Sequence, residues 1–222
     1  MKREIVQTLD GSTTIFLPEW NENYHSKHGA IQEAKHVFIK NGFSLFKEKN
    51  HSILEIGFGT GLNAFITFLE AKKHKIHVSY TGVEAYPVDF DEIIQMNYVQ
   101  QLDATEFEPH FKKMHDSEWN QPIEIAPEFR LTKRKQFFNE IKDVDTFDLI
   151  YFDAFGYRVQ PELWSTEIFK KMYTALKSGG ILVTYAARGV VKRSMLEVGF
   201  TVEKLEGPPG KREMFRATKP II

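Results

Sequence analysis

Three glycines alternate with other residues directly after an apolar run in the first third of the chain. They are Gly57, Gly59 and Gly61, and Glu55 precedes the first of them by two positions. Glycine lets the backbone turn sharply and lets a ligand approach it closely. A dinucleotide fingerprint, G-x-G-x-x-G, would require a glycine where Leu62 stands. The pattern therefore predicts a ligand-binding turn between a strand and a helix, but not a dinucleotide site of that type.

Two more carboxyl groups stand at the ends of predicted strands. Glu84 comes 23 residues after Gly61, and Asp153 ends a strongly apolar strand-like segment. A carboxylate in the first position can accept two hydrogen bonds from a ribose diol, and a buried one in the second is often functional because leaving it unpaired is costly. Ligands of open α/β sheets bind beyond the carboxyl ends of the strands, so we expect both acids and the glycine turn to face one site.

The elements that must position these residues alternate along the chain. Strands are predicted at Ser52–Ile56, His77–Glu84, Phe129–Thr132, Phe147–Asp153, Ile181–Tyr185, Phe200–Leu205 and Glu213–Thr218. Helices are predicted at Gly29–Lys40, Pro87–Asn97, Lys135–Lys142, Glu162–Leu176 and Val190–Val198, with a further helix from Leu62. This alternation predicts a Rossmann-like α/β fold, with a mostly parallel seven-stranded sheet and helices on both faces. The last two strands are too close for a crossover, so we expect an antiparallel hairpin.

The composition is that of an ordinary globular protein. The 222 residues carry a net charge of -1, which excludes a globally basic nucleic-acid binder. No apolar run approaches the roughly 18 residues of a membrane-spanning helix, and no apolar signal segment follows the first residues. Cysteine is absent, which excludes disulfides and thiolate metal sites. We therefore expect a cytoplasmic protein without a membrane segment or a metal ion.

Charge is unevenly distributed along the sequence. Between Arg188 and Lys219, eight lysines and arginines stand against four glutamates, and a second basic run lies within 130–142. Between Tyr86 and Asn120, eight acids stand against two lysines. Two interpretations stay open. The charges form two solvated faces, or the basic run forms a rim that binds a polyanion, with the acidic face turned away from it.

Several short motifs resemble those of one methyltransferase family. The Glu55–Gly61 pattern is similar to the first motif of class I S-adenosylmethionine methyltransferases, whereas Asp153–Phe155 with Gln160–Trp164, and Lys211–Met214, are more specific. These pieces resemble the methyltransferase part of the tRNA 5-methylaminomethyl-2-thiouridine biosynthesis protein and its stand-alone relatives. The matching pieces run from about residue 10 to residue 218.

The sequence departs from this family at two places. Gly156-Tyr157 stands where relatives usually have a proline. The third strand of relatives often ends in an acid that contacts the cofactor adenine, whereas Leu131 is followed here by Thr132-Lys133-Arg134. No residue is therefore predicted for the adenine contact.

The resemblance implies a fold, a reaction and a set of residues. Residues 51–222 would form a class I methyltransferase core that binds S-adenosylmethionine, and residues 1–50 an N-terminal extension with a short strand and helices. The cofactor would contact Glu55, Gly57, Phe58, Gly59, Thr60, Gly61, Asn63, Glu84, Asp153 and Ala154. The substrate would contact Glu33, Phe155, Tyr157, Trp164, Arg188, Lys211 and Arg212, with the aromatic rings stacking on a base and the basic residues meeting phosphates.

The implied reaction is N-methylation of the 5-aminomethyl group on a tRNA wobble uridine, from 5-aminomethyl-2-thiouridine to 5-methylaminomethyl-2-thiouridine. An alkylammonium has a pKa of about 10.4, so its nitrogen has no free lone pair at neutral pH. Asp153 would be the catalytic residue. It would accept a hydrogen bond from the amine, and whether it also takes the proton is left open.

The resemblance also sets expectations about partners. The partner would be a tRNA anticodon loop, the protein would be a monomer, and the flavin-dependent oxidase domain of the bifunctional relatives would lie outside this chain. Two alternatives stay open from the residues alone. One is a methyltransferase acting on another amine, in a protein or a small molecule. The other is a non-catalytic RNA-binding module of the same fold.

Overall fold

The first three strands form a small sheet of their own in the computed structural model, which describes residues 2–46 and 50–221. They are β1 (Glu4–Gln7), β2 (Thr13–Leu17) and β3 (Glu22–Asn23), and all of their pairings are antiparallel. Positions 1, 47–49 and 222, which the two predicted domain ranges include, lie outside the described residues. The division of the chain at residue 50 stays a prediction.

Eight further strands form one mixed sheet. They are β4 (His51–Ile56), β5 (Val78–Glu84), β6 (Pro122–Ala126), β7 (Phe129–Lys135), β8 (Phe147–Phe152), β9 (Leu176–Thr184), β10 (Thr201–Glu206) and β11 (Glu213–Thr218). Their order is β10-β11-β9-β8-β4-β5-β7-β6. The five strands from β9 to β7 pair in parallel, and antiparallel strands extend the sheet at both edges. The predicted fold and the C-terminal hairpin are confirmed.

The predicted number of strands was wrong by one. Pro122–Ala126 pairs with β7 as an eighth, edge strand, although this stretch had no clear pattern in the sequence. Its first three residues are not buried, so apolar side chains do not mark it as a strand. Of the small N-terminal sheet, only one short strand was expected within residues 1–50, whereas the structure has three there.

Seven α-helices accompany the sheet in the described part of the chain. They are α1 (Ala30–Ala34), α2 (Leu62–His74), α3 (Phe90–Ile93), α4 (Tyr98–Gln101), α5 (Glu108–Asp116), α6 (Thr166–Ala175) and α7 (Gly189–Glu197). A π-helical segment, Lys35–Lys40, continues α1, and short 3-10 helices lie at Phe43–Phe46, Thr105–Phe107, Phe138–Glu140 and Pro161–Trp164. None of the helices described is long and apolar enough to cross a membrane.

Helices cover both faces of the sheet because successive side chains of its strands point in opposite directions. Along β8, Leu149 and Tyr151 belong to one apolar cluster, and Ile150 and Phe152 belong to another. The first cluster packs under α1 and α2, and the second packs under α6 and α7.

Two predicted helices are much shorter in the structure. The helix expected over 87–97 is helical only at α3, because Asn97 instead bonds to the N-terminal sheet and its turn: its side chain accepts from the Thr13 amide at 2.8 Å and donates to the Gly11 carbonyl at 2.9 Å. The helix expected over 135–142 is a single 3-10 turn, because β7 extends to Lys135.

The glycine turn between β4 and α2 is held by the two neighbouring strands. The amides of Gly57 and Phe58 both donate to the Val83 carbonyl of β5, each at 3.0 Å. Gly57 has a φ of 90°, and a Cβ atom there would lie 2.5 Å from the Asp153 carbonyl oxygen. On the other side, Gly82 leaves room for the Phe58 ring, which a Cβ atom would meet. These contacts fix the turn against the ends of β5 and β8.

We predict that Gly57→Ala destabilises the protein, by about 1–3 kcal/mol, because a side chain at this positive φ is strained and collides with the β8 end. Gly189→Ala is the matched control, since a Cβ atom there meets nothing closer than 3.6 Å, from Arg193 Nη1. We expect this control to be neutral or slightly stabilising. Urea unfolding of the two variants beside the parent measures the difference, and equal stability for both would contradict the prediction.

Candidate active site

A cleft of about 1010 Å³ opens beyond the carboxyl ends of β4, β5 and β8. Its floor includes Gly57, Gly59, Asn63, Glu84 and Asp153. The N-terminal sheet and the segments next to it contribute the opposite wall, with Arg3, Leu17, Trp20, Asn23, Tyr24 and His25. The glycine turn and the two strand-end acids therefore face one site, as the sequence predicts.

One side-chain amide connects two carboxyl groups at the cleft floor. Asn63, in the first turn of α2, donates through Nδ2 to Glu55 Oε1 at 2.9 Å and to Asp153 Oδ2 at 2.8 Å. Glu55 is completely buried behind this amide, whereas Asn63 and Asp153 line the cleft. Any contact of Glu55 with a ligand would therefore pass through Asn63 or water.

Burial makes both carboxyl groups weak acids. Burial and, to a lesser extent, the negative charge of Glu33 raise the pKa of Asp153 to about 7, against the Asn63 hydrogen bond and the charge of Lys211. Burial also raises the pKa of Glu55 well above its usual range, against hydrogen bonding by Asn63 and Tyr80. Asp153 therefore changes its protonation state near neutral pH, where small changes in its surroundings alter its charge.

Glu84 is held at the end of β5 by two backbone amides. Its Oε2 accepts from Gly59 at 3.1 Å, and its Oε1 accepts from Tyr86 at 3.0 Å. A carboxylate has about four lone-pair positions, so two remain for a ligand. The carboxylate is fixed in direction and lines the cleft, which suits recognition of a diol.

The remaining residues predicted for the cofactor divide into two groups. Phe58 and Ala154 line the cleft. Thr60 is buried, and its hydroxyl lies 2.8 Å from the Tyr98 hydroxyl, so its side chain holds the turn instead of facing a ligand. Gly61, with a φ of 72°, is the N-cap of α2.

A pair of aromatic residues after β7 was missed in the sequence. Phe137 is 50% exposed, and its ring meets Tyr86 edge-on at 5.9 Å, beside Glu84 in the cleft wall. Phe138 and Asn139 line the same wall. The sequence signal was an aromatic residue shortly after a charged strand. It was not recognised because the strand was predicted to end three residues too early, at Thr132 instead of Lys135. The sequence had predicted no residue for an adenine contact, and these aromatic residues are candidates for it.

His25 was also missed as a member of the site. Its Nδ1 lies 3.0 Å from the Thr14 hydroxyl, and the residue lines the N-terminal wall of the cleft. Burial lowers the pKa of His25 to about 4, so its imidazole is neutral at physiological pH. No spacing in the sequence connects this histidine to the glycine turn.

The aromatic residues predicted to stack on a base have different environments. Phe155 lines the cleft and meets the rings of Trp20 and Tyr24 edge-on, at 5.4 and 5.0 Å. Tyr157 is half-buried beneath Arg188, whose guanidinium carbon lies 5.7 Å from the ring centre.

The prediction for Trp164 needs correction. This side chain is 0% exposed, packs on Phe152 in the core at 5.0 Å, and donates its Nε1 to the Phe155 carbonyl at 2.8 Å. It cannot reach a base from this position. Trp164 instead supports the backbone that carries Phe155.

Half of the bases in the C-terminal basic run are neutralised by ion pairs. Four pairs account for this: Lys204–Glu213, Lys211–Glu33, Arg216–Glu203 and Lys219–Asp145. In the part of the chain that the structure describes, Arg188, Arg193 and Arg212 are exposed and make no ion pair. Of the three residues predicted to contact phosphates, Arg188 and Arg212 therefore have no ion pair within the described residues, whereas Lys211 pairs with Glu33.

The fold and part of the sequence match known methyltransferases. Residues 123–220 match a family described as S-adenosyl-L-methionine-dependent methyltransferase. The structure of MnmC2 from Aquifex aeolicus has a TM-score of 0.75 and 22% identity, covering 100% of this chain and 71% of that one. A methyltransferase from Pyrococcus furiosus has a TM-score of 0.52 and 19% identity, covering 92% of this chain and 91% of that one. The chain has the fold of a class I methyltransferase.

A curated relative of this chain is a much longer protein. The tRNA 5-methylaminomethyl-2-thiouridine biosynthesis bifunctional protein MnmC of Burkholderia thailandensis is 30% identical over 220 residues, which are 90% of this chain and 33% of that protein. The chain thus spans about one third of the length of the curated relatives that it matches. These matches confirm the resemblance that the motifs predicted.

We predict that Asp153→Asn stabilises the ligand-free protein increasingly as the pH rises from 5 to 7. The folded-state pKa of about 7 lies above the ordinary 3.8, so ionisation of this group opposes folding over that interval. At about 1.4 kcal/mol per pKa unit, the gain between pH 5 and pH 7 is roughly 1–3 kcal/mol and levels off above that. Urea unfolding at pH 5, 6, 7 and 8 measures it.

The control for this prediction lies at the other end of the same strand. Contacts with Lys177 and Ser52 outweigh burial and lower the pKa of Asp148. Its ionised form therefore stabilises the fold above its ordinary pKa, and Asp148→Asn should destabilise the protein at pH 7. A pH-independent effect of Asp153→Asn would contradict the assignment of its pKa.

Proposed function

We propose that this domain uses S-adenosylmethionine to methylate the 5-aminomethyl group of a tRNA wobble uridine, giving 5-methylaminomethyl-2-thiouridine from 5-aminomethyl-2-thiouridine. The observation that carries the proposal is the position of Asp153, a carboxyl group with a pKa of about 7 at the floor of a cleft that the glycine turn and Glu84 also line. The substrate class is supported by the 30% identity to a bifunctional protein of 5-methylaminomethyl-2-thiouridine biosynthesis.

The cleft residues fit this cofactor. Gly57 and Gly59 expose backbone without side chains, and Glu84 has free lone pairs for a ribose diol. Tyr86 and Phe137 provide exposed ring surface for an adenine, while Asp153 provides negative charge near a cationic group. S-adenosylmethionine would supply an electrophilic methyl group on a positively charged sulfur.

Asp153 has the properties needed to control the substrate amine. An alkylammonium with a pKa of about 10.4 must lose a proton before its nitrogen can act as a nucleophile. A carboxylate with a pKa of about 7 is a stronger base than an ordinary aspartate, and proton acceptors work best when their pKa is near the working pH. Asp153 would hold the amine through a hydrogen bond and receive its proton, with Asn63 fixing the direction of the carboxyl group.

The wall opposite the cofactor residues suits an unstacked base. Phe155, Trp20 and Tyr24 form an aromatic cluster in that wall, and sequence-specific RNA recognition uses such rings for bases that leave a loop. Arg188 and Arg212 would meet phosphates of the anticodon loop. We place this activity in the cytoplasm, where tRNA is modified, and the monomeric state stays a prediction.

We expect the purified chain to bind S-adenosylmethionine in calorimetry and to transfer its labelled methyl group to tRNA that carries unmethylated 5-aminomethyl groups. Digestion of the tRNA with ribonuclease before the reaction should abolish transfer, and Asp153→Asn should reduce it about 100-fold or more, by the usual contribution of a general base. Methylation of proteins or small amines at the same rate would favour the first alternative. Cofactor binding without transfer to tRNA would contradict the proposed substrate.

The exposed arginines give a second prediction. Arg188→Ala and Arg212→Ala should each weaken tRNA binding and lower the slope of log affinity against log salt concentration by about 1, as expected for one lost phosphate contact. Arg216→Ala is the matched control, because Arg216 already pairs with Glu203 at 3.0 Å. Filter binding between 50 and 200 mM salt measures the slopes. Equal slopes for all three variants would exclude the basic rim.

A further inference from the structure

The loop between β10 and β11 reaches back to helix α1 through one lysine. Lys211 Nζ donates to Glu33 Oε2, across 178 positions of sequence. Glu33 is only 6% exposed, and its other carboxylate oxygen accepts from the Ser26 amide at 3.1 Å. Withdrawal of Lys211 toward a phosphate would leave a buried carboxylate without its cation, which is strongly unfavourable.

The same ammonium group also contacts Tyr185, a residue that supports the backbone next to Asp153. Lys211 Nζ lies 3.8 Å from the centre of the Tyr185 ring, within the range of a cation–π contact. The Tyr185 hydroxyl donates to the Ala154 carbonyl at 2.8 Å. Because Ala154 directly follows Asp153, a continuous set of contacts leads from the hairpin loop to the backbone at the end of β8.

Glu33 and Lys211 act on Asp153 with opposite charges. Glu33 favours the protonated form of Asp153, and Lys211 favours the ionised form. The other titratable groups that interact with the Asp153 carboxyl come from three further segments: Glu55 on β4, Tyr80 on β5 and Tyr185 after β9. Tyr80 and Tyr185 are uncharged at neutral pH, so among these neighbours the Glu33–Lys211 pair and Glu55 are the groups able to bias Asp153.

We propose that Lys211 and Glu33 are positioning residues for Asp153 and that neither contacts the tRNA. Lys211 holds the Tyr185 ring, which fixes the backbone beside Asp153, while the Glu33–Lys211 pair balances the charge that Asp153 experiences. This inference depends on the proposed function only for its kinetic readout. It replaces the earlier expectation that both residues bind substrate.

The first test needs no substrate. The titration of Asp153 can be followed by carbon-13 NMR of protein labelled in aspartate, with Asp153→Asn to assign the signal. Lys211→Met should raise the pKa of Asp153, because a positive charge is lost, and Glu33→Gln should lower it, because a negative charge is lost. Lys204→Met, which breaks an exposed ion pair on the same hairpin, should leave it unchanged. Shifts in the same direction for Lys211→Met and Glu33→Gln, or no shifts, would overturn the proposal.

The second test separates positioning from phosphate contact. Lys211→Met should lower kcat for methyl transfer by about 10- to 100-fold, as expected when a reacting group is misplaced, with KM for tRNA within about twofold of the parent. The slope of affinity against salt should not change. Lys211→Arg should recover part of kcat, because it keeps the charge. An increase in KM with a reduced salt slope and unchanged kcat would make Lys211 a phosphate contact and overturn the proposal.

A double variant keeps both tests valid if a single variant does not fold. Glu33→Gln with Lys211→Met removes both charges together, so no buried charge is left alone. It should return the Asp153 titration toward that of the parent while kcat stays low, because Tyr185 still lacks its cation. Recovery of full kcat would overturn the positioning role. If the parent protein methylates no tRNA, the proposed function fails, whereas the opposite pKa shifts still decide this inference.

Discussion

The Asn63 amide, which bonds to both Glu55 and Asp153, is the contact on which the architecture of the cleft depends. It ties the first turn of α2 to the ends of β4 and β8, so the glycine turn must be short enough to place Asn63 between the two carboxyl groups. Burial makes both acids hold their protons more strongly than usual. A buried carboxyl group is unfavourable in its ionised form unless a cation lies close to it. Both proposed ligands carry a positive charge, S-adenosylmethionine on its sulfur and the substrate on its protonated amine.

The N-terminal sheet completes the cleft from the opposite side. Arg3 of the N-terminal segment pairs at 2.8 Å with Glu92 in α3, which follows β5. Glu22 of β3 pairs at 2.9 Å with Arg158, which follows β8. The sheet therefore bridges the cleft and is attached at both sides. Trp20 and Tyr24, which flank β3, meet the Phe155 ring edge-on, so this part of the chain adds ring surface to the cleft.

The parts of the site that follow from backbone pattern could be predicted from the sequence. Gly57 and Gly59 mark a turn that only glycine makes easily, and Glu84 and Asp153 end strands whose direction the fold class determines. Side-chain direction was harder to predict. Trp164 is near Asp153 in sequence, but it points into the core and not into the cleft.

Contacts between distant segments could not be predicted from local pattern. Lys211 looked like one of many exposed bases, and only the folded chain shows that it pairs with Glu33. No residue was predicted for the adenine contact because the third strand was expected to end at Thr132, whereas β7 runs on to Lys135 and the aromatic residues of the cleft wall come after it. Long-range ion pairs and strand lengths both depend on tertiary packing, and the local pattern of residues does not reveal that packing.

The bridging position of the N-terminal sheet has a consequence for the order of folding. The contact of Arg3 with Glu92 spans 89 positions, and that of Arg158 with Trp20 spans 138. Closing such long loops costs conformational entropy, and contacts of this range slow folding. Each contact also needs its partner segment, α3 for Arg3 and the segment after β8 for Arg158, to be in place. The wall that the N-terminal sheet provides is therefore complete only in a chain whose main sheet has formed, and closure of the cleft follows formation of its floor.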